Sequence, residues 1–111
     1  MQKFHSSIVV CESRSNKKFA LSYYINTSII KVEGRPVKVY GVRIHKRWSK
    51  KKCIHFEDKI VRNVTTSEAD ILEFANILYR NKVTPMHLLD VAEDYILEKE
   101  NEIIMKLGAI N

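Results

Sequence analysis

The hydrophobic pattern of the chain changes once, close to Val64, from a strand-like period to a helix-like period. Before this point, β-branched and aromatic residues dominate from Phe19 to Val32, from Val37 to Ile44 and from Cys53 to Glu57, after a shorter run at Ile8–Cys11. After it, apolar residues recur at the helical spacing i, i+3, i+4, i+7. Strands that are followed by helices, rather than alternating with them, predict an α+β domain with an antiparallel sheet.

Two breaks separate the three longer strands. The first is Glu33-Gly34-Arg35-Pro36, where Gly supplies a positive φ and Pro fixes φ, and the second is the lysine-rich stretch 46–52. Turns centred on Gly34-Arg35 and on Ser49 place seven apolar residues on one face of the sheet. We therefore expect an antiparallel meander of three strands, or four with Ile8–Cys11, packed on that one face by two C-terminal helices. The seven residues are Ile25, Ile29, Tyr40, Val42, Ile44, Ile54 and Phe56.

The two predicted helices have recognisable starts and ends. The first begins at a capping box, either Thr65–Glu68 or Ser67–Asp70, and Asn81 is suited to a left-handed cap at its end. The second begins with Thr84 as N-cap before Pro85, and it can run as far as Gly108. The apolar positions are Ile71, Phe74, Ala75 and Leu78 in the first helix, and Leu88, Val91, Ala92, Tyr95 and Ile96 in the second.

The length and composition fit one domain over residues 1–111. With 45% hydrophobic residues, a chain of 111 residues can close one core without disulfides or metals. The two cysteines, Cys11 and Cys53, lie far apart and favour a reducing compartment, so we expect a cytoplasmic protein. No apolar run reaches the roughly 18 residues of a membrane span, and we expect no cofactor and no small-molecule substrate.

Charge divides the chain into a basic β half and an acidic helical half. Residues 1–63 contain 15 Lys and Arg against 4 Asp and Glu, a net charge of +11, whereas residues 64–111 contain 4 against 9, a net charge of −5. This division favours a polyanionic partner for one half and a basic partner for the other. It equally allows the two halves to attract each other, within one molecule or between copies.

The strongest local signal in the basic half surrounds the single tryptophan, which the predicted turn places near a hairpin tip. Lysines and arginines on such a tip can neutralise phosphates, and an exposed indole can stack on an unpaired base. The alternative is that the charges only solubilise the hairpin and protect its edges. The candidate nucleic-acid-binding residues are Arg43, Lys46, Arg47, Trp48, Lys50, Lys51 and Lys52.

The last helix offers the second candidate surface. His87, Asp90, Glu93 and Asp94 can form an acidic face that docks a basic partner, although acids also complement the start of a helix dipole. This acidity argues against a DNA-reading helix-turn-helix. A zinc site at His45, Cys53 and His55 is a further alternative, but its spacing is unusual for zinc.

Catalytic patterns are lacking in the sequence. There is no GxSxG, P-loop or HExxH pattern, and the three glycines are too scattered to cradle a phosphate. We therefore expect a protein that is not an enzyme and that acts by protein–protein association, through the acidic helical face or through sheet edges, with nucleic-acid binding as the alternative.

Three segments resemble a family of small, functionally uncharacterised bacterial proteins: Tyr40-Gly41-Val42 in a strand, Val64-Thr65 opening a helix, and Val83–Tyr95. The last segment is similar to the family's closing helix, "(S/T)P-x-HL-x-DV-x-ED-(F/Y)". The resemblance covers roughly residues 22–97. It implies a bacterial cytoplasmic protein with no assigned activity, and it carries over no catalytic or binding residues. The basic stretch Arg43–Lys52 and the tail after Glu98 depart from the family's pattern.

Overall fold

Four antiparallel strands and two helices form the part of the chain that the structure describes. The computed structural model describes residues 1–12, 14 and 17–110, with side chains as far as Met105. The strands follow one another in space as they do in sequence, and both helices come after them. The α+β fold with a meander and two C-terminal helices is therefore confirmed, in its four-stranded form. The elements are β1 (Gln2–Cys11), β2 (Lys18–Val32), β3 (Arg35–Lys50), β4 (Cys53–Thr65), α1 (Glu68–Arg80) and α2 (Pro85–Ile110).

Two-residue turns join β2 to β3 and β3 to β4. Glu33 and Gly34 have φ values of 52° and 78°, and Lys51 and Lys52 have 51° and 64°. Two successive positive φ angles give the type I′ turn, whose twist matches that of an antiparallel hairpin. Both turns differ from the predicted centres, so the strand registers differ as well.

The predicted register of β2 and β3 is wrong by two residues, since Ile25 pairs with Val42 and Tyr23 pairs with Ile44. A shift of two leaves every side chain on its predicted face. The predicted register of β3 and β4 is wrong by five, since Ile44 pairs with Lys59 instead of Ile54. An odd shift reverses the faces, and this error determines where the candidate sites lie.

A β-bulge interrupts the pairing of β3 with β4 between Tyr40 and Val42. Gly41 lies at this point, directly against the backbone of β4. A Cβ atom at Gly41 would stand 2.8 Å from Cα of Arg62 and would also overlap the carbonyl oxygen of Val61. The close approach of the two backbones requires a residue without a side chain.

The ends of α1 follow the sequence in part. Ser67 is the N-cap, and its Oγ accepts a hydrogen bond of 3.2 Å from the Asp70 amide, which confirms the second capping option. The left-handed conformation predicted for Asn81 is wrong, because Asn81 has φ −93° and the next residue, Lys82, has φ 52°. The Asn81 side chain instead donates to the Ile77 carbonyl at 2.9 Å.

The helices pack over the middle of the sheet. Phe74 of α1 stacks on Tyr95 of α2, with ring centroids 4.6 Å apart, and the Tyr95 hydroxyl donates to the Asp70 carbonyl at 3.1 Å. The hydroxyl of the buried Tyr23 donates to the Val83 carbonyl at 2.9 Å, which ties the helix–helix loop to β2. The buried cluster comprises Leu21, Tyr23, Ile25, Tyr40, Val42, Ile44, Val64, Ile71, Phe74, Ala75, Leu78, Leu88, Ala92 and Tyr95.

The molecule is elongated and measures 60 × 31 × 18 Å, and the two ends of the sheet differ. At one end, residues 28–38 of β2 and β3 form a ribbon beyond the last pairs with β1 and β4. Ile29 lies on this ribbon and is exposed, so its predicted place in the core is wrong. At the other end, the hairpin of β3 and β4 carries the basic segment.

Candidate interaction surfaces

One face of the sheet is covered by the helices, and the other is uncovered in the described part of the chain. Leu21, Tyr23 and Ile25 of β2 are buried together with Val42 and Ile44 of β3. Side chains at the alternate positions point to the opposite side of the sheet. We call that side the open face; its principal side chains are Phe4, Val9, Tyr24, Arg43, His45, Arg47, Ile54, Phe56, Asp58 and Ile60.

Strand β4 directs its apolar side chains between residues 54 and 60 away from the helices, whereas Val61 and Val64 pack in or against the core. Ile54 and Phe56, predicted in the core, lie on the open face and are 52% and 59% exposed, and Ile60 lies there too. The positions between them, His55 and Glu57, point to the covered side. The prediction is wrong because the true turn lies at Lys51-Lys52, an odd number of residues away in register from the predicted one.

A charged group occupies the centre of the open face. Arg43 donates from Nε to Oδ1 of Asp58 at 2.7 Å, and its Nη2 bonds to Oδ2. His45 Nδ1 lies 3.4 Å from the same Oδ2. The hydrogen bond from Arg43 holds the pKa of Asp58 below its usual value, with a smaller contribution from His45. The Arg43 guanidinium also lies 5.4 Å from the Tyr24 ring centroid, so the pair is held in place from several sides.

The remaining charges on the open face are basic. Because Asp58 neutralises Arg43, the excess charge comes from Lys18, Arg47 and Arg62. Arg62 lines a shallow pocket together with Ile60 and Gln2 of the same face. The open face thus combines exposed apolar side chains with a net positive charge.

A second surface lies on the covered side of the sheet, beyond the helices. Val10, Phe19, Trp48 and His55 form one cross-strand row over all four strands, which we call the aromatic row. The Trp48 and His55 rings stack at 5.5 Å with an interplanar angle of 16°. Lys46 Nζ lies 4.5 Å from the Phe19 centroid and 5.2 Å from the Trp48 centroid. This arrangement places a cation against two ring faces.

A basic pocket adjoins the aromatic row. Its volume is about 620 Å³, and lysines from two strands and from the segment before β2 surround it. An anion with a planar group matches this combination of lysines and aromatic rings. The described lining residues are Glu12, Lys17, Lys18, Phe19, Lys46, Trp48, Ser49 and Lys50.

The predicted nucleic-acid-binding residues do not form one surface. Arg43 and Arg47 point to the open face, whereas Lys46, Trp48 and Lys50 point to the covered side. Trp48 lies within β3 opposite His55 and is half-buried, so its predicted place at the hairpin tip is wrong. The residues of the tip itself are Lys51 and Lys52.

The two lysines of this tip adopt an unfavourable backbone conformation. Type I′ turns prefer Asn-Gly because both central residues need a positive φ, which costs about 1 kcal/mol or more for a residue with a full side chain. Lys51 and Lys52 adopt it nevertheless. The stability of the turn does not explain why lysines occupy these two positions. Their positive charge at the tip of the hairpin suggests a functional reason.

The third surface is the outward side of α2, where the predicted partner-binding residues lie. His87, Asp90, Glu93 and Asp94 are all exposed, so they are accessible to solvent or to a partner. Exposed apolar residues accompany them, which sequence reasoning did not include. We call the set Met86, Leu89, Asp90, Glu93, Asp94 and Leu97 the acidic helix face.

The acids of the two helices have different surroundings. Lys99 Nζ lies 3.5 Å from Glu73 and 4.0 Å from Asp70 of α1, and 3.6 Å from Glu102. Within the described residues, no ion pair involves the acids of the acidic helix face. The negative charge of that face is therefore available to a partner.

The structure separates the potential metal ligands. His45 pairs with Asp58 on the open face, whereas Cys53 and His55 lie on the covered side of β4. Among the described residues, no three His, Cys, Asp or Glu side chains form a group that could hold a metal ion. In the same part of the chain, none of the helices combines the length and apolar character needed to cross a membrane.

Sequence reasoning missed four contributors to the open face: Phe4, Tyr24, Asp58 and Ile60. The signal that could have found Asp58 and Ile60 is the alternation within β4, where Ile54, Phe56 and Ile60 share one parity. To decide which side of the sheet these residues face, the position of the turn between β3 and β4 must be known. Two lysines carry no local indication of a type I′ turn, so this position was not evident.

The fold and these surfaces define a small α+β protein whose antiparallel sheet is covered on one side and open on the other. Residues 1–98 match the model of a family described as "Family of unknown function (DUF6514)", and the chain belongs to that family. The matched span includes the basic segment and both faces of the sheet, and it ends within α2. Neither the comparison with curated proteins nor the comparison with solved structures gave a match.

Proposed function

We propose that this chain is a non-enzymatic interaction module that docks a protein partner on its open face. The observation that carries the proposal is the direction of β4, whose side chains Ile54, Phe56 and Ile60 project into solvent. Contiguous exposed apolar side chains on a small protein mark an interaction surface, because they lower solubility unless a partner covers them.

The open face is suited to binding because it is rigid before a partner arrives. Its side chains stand on four strands that are hydrogen-bonded to one another, and the Arg43–Asp58 pair joins the central strand β3 to β4. A preformed surface loses little conformational entropy on association. Burial of a side chain such as Phe56 contributes about 1.5–3 kcal/mol, so a few such residues supply useful affinity.

We place this activity in the cytoplasm, without a cofactor. Cys11 and Cys53 are exposed and unpaired, which suits a reducing compartment. The positive charge of the open face favours a partner surface that is apolar and acidic.

The test uses two adjacent positions that point to opposite sides of β4. A photoreactive phenylalanine derivative replaces Phe56 on the open face in one variant and His55 on the covered side in the other, and each is irradiated in cells that make the chain. We expect a discrete protein adduct from position 56 and none of the same mass from position 55. The adduct from position 56 should disappear when Ile60→Lys is added on the same face.

Absence of a protein adduct at position 56 contradicts the proposed function. The same follows if position 56 gives only nucleic-acid adducts, or if the Ile60→Lys substitution leaves the adduct unchanged.

A second function, the binding of single-stranded nucleic acid, is favoured by the aromatic row. Lys46 lies against the Phe19 and Trp48 rings, and the two tip lysines adopt an unfavourable backbone conformation. An unpaired base can stack on such rings while lysines neutralise the neighbouring phosphates.

Trp48 reports this second function directly, because it is the single tryptophan of the chain. We expect single-stranded RNA to quench its fluorescence, with an affinity that falls steeply as salt rises. A Lys50/Lys51/Lys52→Ala variant should weaken binding. An unchanged Trp48 emission at low salt rules this function out.

A further inference from the structure

We infer that the partner on the open face is a second copy of the chain, which docks through its acidic helix face. This inference rests on the proposed function, because it names the occupant of the same face. Three observations support it: the apolar match between the two surfaces, their opposite charges, and their positions on opposite sides of the molecule.

The apolar residues of the acidic helix face form one line along α2. Met86, Leu89 and Leu97 are spaced by three and eight residues, so they lie along one side of the helix, with Glu93 on the same side between Leu89 and Leu97. Leu97 is 57% exposed, and Met86 and Leu89 are exposed as well. Met86 to Leu97 spans about 17 Å at 1.5 Å per residue.

The open face offers a site of matching length. From Ile54 to Ile60, β4 extends about 20 Å, and the four strands are together about 19 Å wide. Where all four strands pair, its exposed apolar side chains lie on the edge strands, on β4 and at Phe4 and Val9 of β1, while Tyr24, Arg43 and Arg47 lie between them. A helix along this face can place its apolar line on the edge side chains and its acids near the arginines.

Two copies can pair these surfaces in three ways, and charge favours the contact between an open face and an acidic helix face. Two open faces together would bring Lys18, Arg47 and Arg62 of each copy close to those of the other. Two acidic helix faces together would oppose Asp90, Glu93 and Asp94 to one another. Like charges at an interface cost free energy, so among these three pairings only the contact between an open face and an acidic helix face brings opposite charges together.

A chain cannot make this contact with itself. Helix α2 packs on the covered side of the sheet, and its acidic helix face points away from it. The two surfaces therefore lie on opposite sides of one molecule, and each copy can bind one neighbour on either side. Such a head-to-tail contact closes into a ring or extends into a chain of copies.

The expected affinity is moderate. The open face presents roughly 400 Å² in projection, from the strand spacing and residue rise, which is small for a permanent complex. We therefore expect reversible association at micromolar concentrations, weakened by salt.

Sedimentation velocity of the full chain tests the inference with two variants. Phe56→Glu places an acid on the open face, and Leu97→Lys places a base on the acidic helix face; both positions are exposed, so both variants should fold. We expect the wild type to grow in mass with concentration and each variant alone to associate much less. An equimolar mixture should form a dimer, because one intact contact remains between the two variants.

Ile29→Glu is the matched control, since it adds a charge at an exposed apolar position outside both surfaces. It should associate like the wild type, and circular dichroism should show the same fold for every variant. A mixture that stays monomeric while the wild type associates overturns the head-to-tail contact.

A wild type that is monomeric throughout the micromolar range overturns self-association. The proposed docking function is judged separately, by whether the photoreactive residue at position 56 yields a protein adduct. A monomeric wild type with an adduct to a different protein leaves that function standing and refutes only the second copy as partner.

Discussion

Both faces of the sheet carry large apolar side chains, yet the helices cover only one face. On the covered face the apolar residues lie on the central strands, with Tyr23 of β2 opposite Ile44 of β3. On the open face, where all four strands pair, the central strands carry Ser22, Tyr24, Arg43 and His45, and the exposed apolar residues lie on the outer strands. The face with an apolar centre packs within the chain, whereas the face with a charged centre and apolar edges is the one that we propose for a partner.

The largest expected effect comes from comparing two phenylalanines on the two sides. Phe74 is fully buried in the core, so Phe74→Ala should lower the free energy of unfolding by about 3–5 kcal/mol. Phe56→Ala on the open face should change it by less than about 0.5 kcal/mol, because the side chain is exposed. Urea unfolding of both variants gives the comparison, and equal losses would show that the open face is part of the core.

The next effect tests the backbone contact that both faces share. Gly41→Ala should lower the free energy of unfolding by roughly 1–3 kcal/mol, because the new Cβ meets the β4 backbone, which cannot rotate away as a side chain could. Gly34→Ala is a useful comparison, since it removes a favourable turn residue at an open position. If thermal melting shows that Gly41→Ala is as stable as the wild type, the backbones of β3 and β4 are further apart at the bulge than described.

The hydrogen bond from Tyr23 to the Val83 carbonyl, on the covered face, should be lost at high pH. Burial raises the pKa of Tyr23 to about 12, from an unfolded value of about 10. The folded state then retains its proton while the unfolded state loses it, so stability should fall as the pH rises from about 10 towards 12. Tyr23→Phe should cost about 1 kcal/mol at neutral pH, through the lost bond to Val83, and should reduce this alkaline slope. An unchanged slope would contradict the buried environment.

The Arg43–Asp58 pair of the open face should be lost at low pH, and its loss should have the smallest effect on stability. Arg43 lowers the pKa of Asp58, so the stabilisation is present above the usual value near 4 and is lost as the pH falls through the lower folded value. Because Asp58 is partly exposed, Asp58→Asn should cost less than about 1 kcal/mol at neutral pH. The difference between wild type and variant should shrink in acid; a difference that grows would contradict the assignment.

Much of the fold could be predicted from the sequence, because it depends on local patterns. The change of hydrophobic period near Val64 predicted the α+β class, and Ser67 and Pro85 marked the helix starts. The register of β2 and β3 was wrong by an even number, which left Ile25, Val42 and Ile44 on the correct face. Short-range rules predict the buried face correctly where the register error is even, because each side chain then stays on its own side of the sheet.

The candidate site could not be predicted in the same way, because it depends on one turn. Lys51 and Lys52 have none of the usual type I′ preference, so their turn was placed too early, and Ile54 and Phe56 were assigned to the core. The acidic helix face was predicted from charge alone, and its apolar residues Met86, Leu89 and Leu97 were not included. Their exposure depends on how α2 packs on the sheet, which local sequence does not contain.

Fluorine NMR of the chain labelled with fluorophenylalanine tests the contrast between the two faces most directly. The four phenylalanines sample Phe4 and Phe56 on the open face, Phe19 in the aromatic row and Phe74 in the core. In dilute protein we expect a solvent-isotope shift at Phe4 and Phe56 and none at Phe74; as the chain is concentrated, the shift at Phe4 and Phe56 should decrease. A Phe56 shielded from solvent in the dilute monomer, or one that stays fully exposed at every concentration, would contradict the account.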